Sequence, residues 1–586
     1  MHISRIAISG FRNFRALELT ELPASIVVVG ENGSGKSNLL HALRLVLDPS
    51  LPDTARQLSA DDFWDGFDAP FDGNEVTVSV DLVDFDGDKA AMALLSDYLV
   101  ATGPKVARLT YAYRPRPLVK SPSTEADYEA AVFGGDRDDQ RVGREVLRYV
   151  SLRVLPALRD AESDLSSHRS PLRRLLSRID LDPTQLATAQ KRIAQAGEAL
   201  LADDGVADIN TGITDRLNDM VGDVFAVATT LGIAPTDSEQ LVRSIRLFID
   251  EAKQRGVGRA SLGTTNLLYL ALLLEQIGAQ ENAGEIVTTI LGVEEPEAHL
   301  HPQLQRVLFR HLLDDNRPLV VTTHSPHLAS VAPLPSITLL RDIGGESAGF
   351  HSRSLDLDEG VESDLERYLD VTRAEMLFAK GVILVEGAAE EFLIPAFAEE
   401  QGFDLDAHGI SVCSVRGTDF RPYRRLLGRN GLNIPSVVIT DGDPDPDGDL
   451  DGLARGRSLV RDQTRSAIDA ALEHEDVDEA RRALAGVGIF VGESTLELDL
   501  VTNARDAMFD AYAELEASDI RRRNFGKDLD ALSAGDTGRA QAVLDRISRL
   551  GKGRYAQRLA GHLDGVAPPD YIEGAIARIR SKVALE

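Results

Sequence analysis

Two kinds of hydrophobic pattern alternate along the chain and divide it into regions. Short alternating or continuous apolar runs, which are typical of strands, occupy residues 1–120 and return at 285–293, 318–323 and 381–385. Between 125 and 255 the apolar residues recur three and four positions apart, which predicts helices at 140–158, 171–179, 183–201 and 237–254. The helical pattern returns from about 500. We therefore expect an α/β fold with a helical insertion and a helical C-terminal part.

The same patterns place the expected domain boundaries. A stretch at 342–363 that is rich in glycine, serine and aspartate is the best candidate for a linker between two α/β units. The expected order is the first part of one α/β domain at 1–124, a helical insertion at 125–255, the second part of that domain at 256–345, a linker at 346–370, and a second α/β domain at 371–586.

Composition limits the class of protein. A chain of 586 residues is too long for one hydrophobic core, and its 43% hydrophobic content supplies enough apolar surface for several. The single cysteine, Cys413, excludes an intrachain disulfide and a cysteine zinc site. The first residues lack the pattern of a signal peptide, and the longest apolar runs are far too short to span a membrane. We expect a cytoplasmic protein that does not contact membranes.

The charge balance limits how the protein contacts nucleic acid. The formal net charge of -31 predicts long-range repulsion from DNA, so any DNA contact must be local. Arginine clusters at 416–429 and 521–523 stand out against this acidic background. They are either local phosphate contacts or ordinary solvated surface.

A glycine-rich loop predicts a nucleotide site. Residues 30–37 read GENGSGKS, follow an apolar strand and precede an apolar helix, which is the context of a phosphate-binding loop. In that geometry backbone N–H groups cradle phosphates, Lys36 meets the β- and γ-phosphates, and Ser37 holds Mg²⁺. ATP is therefore the expected cofactor. The predicted nucleotide-contacting residues are Gly30, Asn32, Gly33, Gly35, Lys36, Ser37 and Asn38.

Two carboxylates follow a second apolar strand and suit nucleotide hydrolysis. Glu294 and Glu295 come at the end of the strand, where one acid orients Mg²⁺ through water and the other polarises the attacking water. We assign the metal role to Glu294 and the base role to Glu295. A third strand ends at His324, whose imidazole is expected to contact the γ-phosphate. The alternative is a pair of solvated acids at a strand end.

A second set of acids predicts a metal site in the C-terminal half. One strand ends at Glu386, and another, some fifty residues later, ends at Asp441 and is followed by Asp443. Because the ends of neighbouring strands converge in an open α/β sheet, these carboxylates are expected to meet around a hard cation. Glu390 lies one helical turn beyond Glu386 and is expected to face the same cluster. Mg²⁺ is the expected metal, with Mn²⁺ or Ca²⁺ as alternatives.

The segment ITDGDPDPDGDLDG at 439–452 also allows a calcium-loop interpretation. Starting at Asp443, the first six residues fit the calcium-loop pattern, but the twelfth position, which requires glutamate, is Ala454. We therefore interpret Asp441 and Asp443 as a functional pair followed by a solvated acidic loop. Within that loop Asp445 remains a candidate metal or water contact.

Several motifs together resemble a known ATPase group. The loop GENGSGKS, the opening ISGFRNF, and the later EEPEAHLHP and TTHSPHL are similar to the ABC-type ATPase of the RecF, SMC and OLD group. The resemblance places Ser261 and Gly263, in the sequence SLG, at the signature motif, which in that group acts on ATP bound by the opposite subunit. The LSGGQ pattern itself is absent. Gln57 is the candidate for the Q-loop.

The C-terminal half resembles a Toprim domain. The combination of VEG and ITDGD with VGESTLELDL and GKGRYA is similar to the Toprim half of an OLD-family nuclease of the class 2 kind, related to the Gabija defence nuclease. The resemblance implies two metals bound by Glu386, Glu390, Asp441, Asp443 and Glu497. It also implies that Thr495 lies near them and that Lys552 steadies the scissile phosphate.

The predicted function is a metal-dependent DNA endonuclease or nickase regulated by an ABC ATPase. The family implies a homodimer or larger assembly formed through the helical insertion, a role in phage defence or DNA metabolism, and a UvrD-like helicase as partner. The alternative is a RecF/SMC-like DNA-repair ATPase whose Toprim unit binds DNA without cutting. A topoisomerase or primase is less favoured, because no tyrosine in a winged-helix setting and no zinc-binding cysteine set is evident.

Overall fold

The structure is a computed structural model that divides the chain into two compact units. The first unit comprises Met1–Ala157 and Val287–Glu586, and the second comprises Leu158–Ile286. The structure describes all residues except 156–169, 180–181, 222–244, 251–254, 316, 356–359, 361–362, 364, 367–368, 445–450, 461, 475 and 585–586.

An antiparallel sheet forms one layer of the first unit. Its strand order is β2-β1-β4-β6-β5, and β7 also pairs with β6. The alternation in VTVSVDLV buries Val76, Val78, Val80 and Leu82 of β4 on one face, as expected for a half-buried strand. The strands are β1 (His2–Phe11), β2 (Phe14–Leu19), β4 (Val76–Val83), β5 (Leu99–Thr102), β6 (Lys105–Pro115) and β7 (Tyr128–Gly134).

A second sheet carries the nucleotide loop. Its order is β14-β13-β3-β12-β11-β8, and every pair is parallel except β13 with β14. Helix α1 (Lys36–Leu47) packs against β4 of the first sheet and β8 of the second, so its leucines join both layers into one core. The strands are β3 (Ser25–Gly30), β8 (Val150–Leu155), β11 (Thr288–Glu294), β12 (Leu319–Thr323), β13 (Ile337–Ile343) and β14 (Glu346–His351). Helix α2 (Lys89–Leu95) lies between β4 and β5 of the first sheet in the sequence, and α3 (Arg144–Tyr149) lies between β7 of the first sheet and β8 of the second.

The described residues of the second unit are mainly helical. Helix α4 packs against α7, and an ion pair joins Arg178 to Glu285. Two short strands, β9 (Phe248–Asp250) and β10 (Arg255–Gly256), form a hairpin. The helices are α4 (Pro171–Leu176), α5 (Pro183–Leu201), α6 (Asp204–Val221) and α7 (Leu262–Asn282).

A third sheet organises the C-terminal half of the first unit. It is entirely parallel, in the order β16-β15-β17-β18. Because β15 pairs directly with β17, from Val382 beside Ser436 onward, the ends of these two strands lie side by side. The strands are β15 (Gly381–Val385), β16 (Ile410–Ser414), β17 (Ser436–Thr440) and β18 (Ile489–Val491).

Helices surround this sheet, and several of them share one buried cluster with it. The remaining helices are α8 (Pro302–Asp314), α9 (Pro326–Ala329), α10 (Val371–Ala374), α11 (Ala388–Glu400), α12 (Arg421–Leu427), α13 (Asp451–Ser458), α14 (Asp462–Glu473), α15 (Val477–Gly486), α16 (Leu496–Asp499), α17 (Val501–Leu515), α18 (Asp519–Ser533), α19 (Ala540–Leu550), α20 (Lys552–Ala560) and α21 (Asp570–Ala584). Within the described ranges, no helix is long and apolar enough to cross a membrane.

The structure confirms the α/β class and corrects some predicted elements. The helix predicted at 183–201 is α5. Within 140–155, the described part of the helix predicted at 140–158, the chain instead forms the short α3 followed by strand β8, whose first three residues are buried. Residues 346–351, which were expected to be linker, form β14, because Gly344 and Gly345 both adopt positive φ and turn the chain back on β13. The helix predicted at 237–254 falls largely outside the described residues, and β9 occupies part of the remainder.

Candidate nucleotide and metal sites

The glycine loop closes tightly between β3 and α1. Gly30, Gly33 and Gly35 all have positive φ, and a Cβ atom at Gly30 would lie 2.3 Å from the carbonyl oxygen of Leu340. Only glycine tolerates both the backbone conformation and this close approach. The loop borders a cavity of about 230 Å³. Its lining residues are Asn32, Gly33, Gly35, Lys36, Ser37, Asn38, Glu295 and His324.

The lysine of the loop is buried and turned onto its own backbone. Lys36 Nζ donates to the carbonyl oxygens of Gly30, at 2.9 Å, and Glu31, at 2.8 Å. Burial lowers the pKa of Lys36 to about 8, against the opposing effect of nearby glutamates. A phosphate group at the loop would favour the charged form of this ammonium, so the site is arranged for an anion.

Glu295 and His324 lie side by side in the wall of the cavity. Their side chains approach to 3.4 Å, between Oε1 and Nε2, and the N–H of Glu295 donates to the Thr322 carbonyl oxygen of β12 at 2.9 Å. Glu295 adopts a positive φ of 46°, a conformation held by this turn. Burial, followed by the charge of Lys36, lowers the pKa of His324 and favours the neutral imidazole.

Glu297 is a third acid in this region that the sequence did not single out. Its Oε1 accepts hydrogen bonds from Thr323 Oγ1 and from the N–H of His324, both at 2.8 Å. Its Oε2 is buried and has no partner within the described part of the chain. Burial raises the pKa of this carboxyl group. Glu297 therefore fixes the end of β12, where His324 leaves the strand.

In the C-terminal half, three predicted carboxylates meet at the ends of β15 and β17. Glu386, Asp441 and Asp443 each offer a ligand oxygen, and these oxygens lie within 4.8 Å of one another. Glu386 Oε1 accepts the N–H of Asp441 at 2.9 Å and also the hydroxyl of Thr440. The two strand ends are thus joined through the acid that ends β15.

Two buried glutamates extend this acidic cluster. Glu390, in the first turn of α11, is 7% exposed, and Glu497, in α16, is 6% exposed. Burial raises the pKa of Asp441 to about 8, and the charges of Glu386, Glu390, Asp443 and Glu497 act in the same direction. Burial likewise raises the pKa of Glu390, and the Glu386 and Glu497 charges add to this effect.

Lys552 and Thr495 complete the predicted set. Lys552 Nζ lies 3.0 Å from Glu497 Oε1, and although burial opposes it, the Glu497 charge raises the pKa of this lysine. The hydroxyl of Thr495 is buried without a hydrogen-bond partner among the residues that the structure describes. Five acids, beside Lys552 and an unsatisfied hydroxyl, form an oxygen-rich site that fits a hard divalent metal.

Glycines bring the acidic segment close to the strand ends. A Cβ atom on Gly442 would lie 2.5 Å from the carbonyl oxygen of Gly492, and one on Gly452 would lie 2.1 Å from that of Asp441. Asp443 itself has a positive φ of 43°. Asp445, with the rest of the loop to residue 450, lies outside the described residues.

Comparison with known proteins places the chain in a family. A model described as "Overcoming lysogenization defect protein-like, TOPRIM domain" matches residues 377–443, and one described as "AAA ATPase domain" matches residues 158–329. A third, described as a protein of unknown function (DUF2813), matches residues 1–80. The acidic strand ends thus fall inside the Toprim match.

Relatives extend the match over most of the chain. An "OLD nuclease" of Thermus scotoductus is 26% identical over 539 residues, which is 87% of this chain and 94% of the relative. An "Endonuclease GajA" of Bacillus cereus is 23% identical and covers 76% of this chain and 75% of its own. The solved C-terminal region of a Burkholderia pseudomallei OLD protein is 38% identical, with a TM-score of 0.31, and covers 35% of this chain and 99% of its own. The chain belongs to the OLD family of ATP-dependent nucleases.

Some predicted residues of this OLD-family chain lie elsewhere. Glu294 ends β11 but does not line the cavity beside the loop, whereas Glu295 does. Gln57 is exposed and does not line it either. Ser261 and Gly263 belong to the second unit, where the hydroxyl of Ser261 caps α7 by accepting the N–H of Thr264. Their predicted role concerns ATP bound by an opposite subunit and stays a prediction.

Sequence reasoning missed several residues of the OLD-family nucleotide site. Asn13 Oδ1 accepts from Asn38 Nδ2 at 2.7 Å, and Arg12 Nη1 donates to Asn38 Oδ1 at 2.7 Å. The hydroxyl of Ser347, on β14, donates to the carbonyl oxygen of Ser34 at 2.8 Å. Arg12 and Asn13 both belong to the segment ISGFRNF, which the sequence identified only as a family motif. That motif was the available sign that these residues contact the loop. Asn38 is held by its neighbours at the edge of the cavity.

The arginine clusters of the OLD-family chain differ in exposure. Arg416, which follows β16 at the same edge as Glu386, is 69% exposed and lies 3.7 Å from Asp370. Burial lowers the pKa of Arg424, whereas Arg521 and Arg523 are exposed. Another arginine, Arg455, which belongs to neither cluster, lies among the carboxylates themselves.

Proposed function

We propose that this OLD-family protein is a DNA endonuclease or nickase whose Toprim site cuts phosphodiester bonds and whose ATPase half regulates the cutting. The observation that carries the proposal is the convergence of Glu386, Asp441 and Asp443, with ligand atoms within 4.8 Å, next to buried Glu390 and Glu497. Carboxylates at this density repel one another unless a cation lies between them. Relatives named as nucleases, one of them an endonuclease, support the reaction class.

The residues divide naturally between two metal positions. Glu386, Asp441 and Asp443 would hold one Mg²⁺, and Glu390 and Glu497, with the buried hydroxyl of Thr495, would hold a second. Two bound metals about 4 Å apart stabilise both the attacking and the leaving oxygen of a phosphodiester displacement.

The protein's own groups prepare this reaction. Lys552 Nζ, 3.0 Å from Glu497 and half-exposed, is a positive charge at the rim of the cluster, where it would contact a DNA phosphate. As negative charge develops on that phosphate, a fixed ammonium group stabilises it. Arg416 at the same sheet edge would position the DNA backbone without reading sequence. The net charge of -31 makes such local cations the main source of DNA affinity.

Regulation by ATP has a short structural route in the first unit. Arg341, on the strand β13 beside β3, donates to the carbonyl oxygen of Asn433 at 2.5 Å and to that of Lys380 at 3.3 Å. Lys380 Nζ lies 3.8 Å from Glu31 of the glycine loop. Lys380 also directly precedes β15, the strand that ends at Glu386. Movement of the loop on ATP binding would therefore reach the metal site through one strand.

The proposal includes the assembly and setting of the protein. We infer a homodimer or larger homo-oligomer, a role in phage defence or DNA metabolism, and a UvrD-like helicase as partner. The named relatives support the DNA substrate, since one is an endonuclease. Sedimentation of the purified chain with and without ATP would measure the assembly.

A double dissociation between the two sites tests the function. Supercoiled plasmid would be incubated with Mg²⁺ or Mn²⁺ and the wild type, Asp443→Ala or Lys36→Ala protein, while ATP hydrolysis is measured in parallel. Asp443→Ala should lower cutting by at least about 10²-fold, as when one stabiliser of the transition state is removed, and leave ATP hydrolysis intact. Lys36→Ala should abolish ATP hydrolysis and leave the metal site intact.

The matched control is Asp478→Ala, since Asp478 is an exposed acid of the same half that pairs only with Arg481 among the contacts described. Undiminished cutting by Asp443→Ala would reject the Toprim site as the nuclease. If Asp443→Ala kept full function in DNA repair and Lys36→Ala lost it, the RecF/SMC-like alternative would hold instead.

A further inference from the structure

One arginine occupies the point on which the metal ligands converge. Arg455 Nη2 donates to Asp443 Oδ2 at 2.8 Å, to the carbonyl oxygen of Asp441 at 2.8 Å and to Glu386 Oε1 at 3.2 Å. Its Nε donates to Thr440 Oγ1 at 3.1 Å. The two carboxylates are among the three that offer ligand atoms to a single cation. The guanidinium therefore has the surroundings of a bound cation.

The helix that carries Arg455 is fixed against the strand end. The N–H of Gly452 donates to the carbonyl oxygen of Gly442 at 3.0 Å, and a Cβ atom at Gly452 would clash with Asp441. One helical turn further along α13, a Cβ atom at Gly456 would lie 2.8 Å from Leu484. The two glycines let the helix lie close to its neighbours, and Arg455, between them in sequence, is directed into the carboxylates.

The neighbouring arginine on the same helix shows that this placement is specific. Arg457 is 45% exposed and pairs with Asp469 outside the cluster, whereas Arg455 is 19% exposed. Guanidinium groups stay charged in proteins, so Arg455 cannot release its partners by losing a proton. A divalent cation that uses the same oxygens of Glu386 and Asp443 must displace the guanidinium.

We propose that Arg455 is the built-in counter-ion of the Toprim metal site and sets its affinity for divalent cations. In the metal-free protein its charge holds Glu386, Asp443 and the end of β17 in place. On metal binding, Nη2 leaves these oxygens, and the guanidinium becomes free to contact a DNA phosphate. The inference rests on the proposed function, because it takes the carboxylates to be metal ligands.

The test compares Arg455→Gln with wild type and with Arg457→Gln, a matched change two residues away. Mn²⁺ binding is measured without nucleotide by titration calorimetry and by the electron paramagnetic resonance of free Mn²⁺. Arg455→Gln should bind Mn²⁺ at least about tenfold more tightly, equal to about 1.4 kcal/mol. In EDTA its unfolding temperature should fall by a few degrees, and saturating Mn²⁺ should remove that difference. Arg457→Gln should match wild type in both measurements.

Equal or weaker Mn²⁺ binding by Arg455→Gln would overturn the proposal, because a merely structural arginine leaves a looser metal site when it is removed. Arg455→Lys keeps one charge but loses the fork, so it should show intermediate affinity, and it tests the proposal if the glutamine variant does not fold. If the wild type binds no Mn²⁺, the proposed function fails. The stability of Arg455→Gln in EDTA would still decide whether Arg455 is the counter-ion.

Discussion

The nucleotide loop and the Toprim site place their cations in opposite ways. Lys36 is turned onto the carbonyl oxygens of its own loop, and the nearby glutamates act on it only through space. In the Toprim site, Arg455 and Lys552 contact the carboxylates directly. In the nucleotide loop, an anion can therefore replace the backbone carbonyl oxygens as the hydrogen-bond partner of Lys36. In the Toprim site, the two side-chain cations neutralise carboxylates that a divalent metal ion can bind in their place.

Both sites nevertheless arise from the same rule of sheet topology. Parallel strands end at one edge, and each site lies at such an edge: β3, β11 and β12 for the nucleotide, β15 and β17 for the metal. The difference lies in the residues that come after the strands. After β3 comes a glycine loop and a helix N-terminus, whose N–H groups attract anions. After β15 and β17 come carboxylates, which attract cations.

The largest effect that distinguishes the two sites should come from Lys552→Ala. Removing this ammonium takes away the charge placed to stabilise the developing phosphate charge, so single-turnover cutting at saturating Mn²⁺ should fall by about 10²–10³-fold. Mn²⁺ binding should not weaken, because Lys552 contacts Glu497 as a competing cation. ATP hydrolysis should stay unchanged, because the nucleotide loop has its own lysine.

The control is Arg558→Ala, a cation on the same helix α20 whose nearest described acid, Glu514, lies 3.9 Å away and outside the cluster. Cutting by Lys552→Ala within about threefold of wild type would show that this lysine only pairs with Glu497. Such a result would also remove part of the contrast between the two sites.

A smaller effect should appear in the stability of the two halves at low pH, because the nucleotide-binding half contains a buried histidine. Burial lowers the pKa of His351, on β14, to about 4. The imidazole of the unfolded chain has a pKa near 6.5, so between pH 6.5 and 4 the unfolded state binds more protons than the folded state. The free energy of unfolding that the neutral, buried His351 contributes is therefore lost as the pH falls from about 6.5 to 4. The loss amounts to at most about 3–4 kcal/mol for this one group.

The measurement is the unfolding temperature of wild type and His351→Asn between pH 7.5 and 4.5. The variant should be less stable than wild type at pH 7.5, since His351 Nδ1 lies 3.0 Å from Thr338 Oγ1, but should lose less stability on acidification. Parallel curves for the two proteins would mean that acid acts on other groups. The exposed His408→Asn, in the Toprim half, serves as the control.

The sequence predicts the edges of the sheets better than the turns beyond them. Glu386 and Asp441 were placed together by one rule, since a short apolar run that ends in an acid marks a strand end. Arg455 was not, because its place depends on how closely α13 approaches β17, and Gly452 shows this only once the neighbouring carbonyl group is known. Glu297 was missed for a similar reason, since the turn after Glu295 decides where it points.

The smallest effect should come from the ion pair that joins the two sites. Lys380 and Glu31 are both half-exposed and lie 3.8 Å apart, and exposed pairs of this kind contribute about 0.2–1 kcal/mol. If this pair carries the ATP signal, Lys380→Ala should bring the ratio of cutting rates with and without ATP closer to one by about two- to fivefold. Metal and ATP affinities measured separately should not change.

The control is Lys105→Ala, which removes a comparable ion pair, with Asp86 at 3.6 Å, and should leave the ratio of cutting rates unchanged. An unchanged ratio in Lys380→Ala would leave Arg341 and β13 as the route between the sites. The double variant Lys380→Glu with Glu31→Lys exchanges the two charges. It should restore the wild-type ratio only if the ion pair itself transmits the signal.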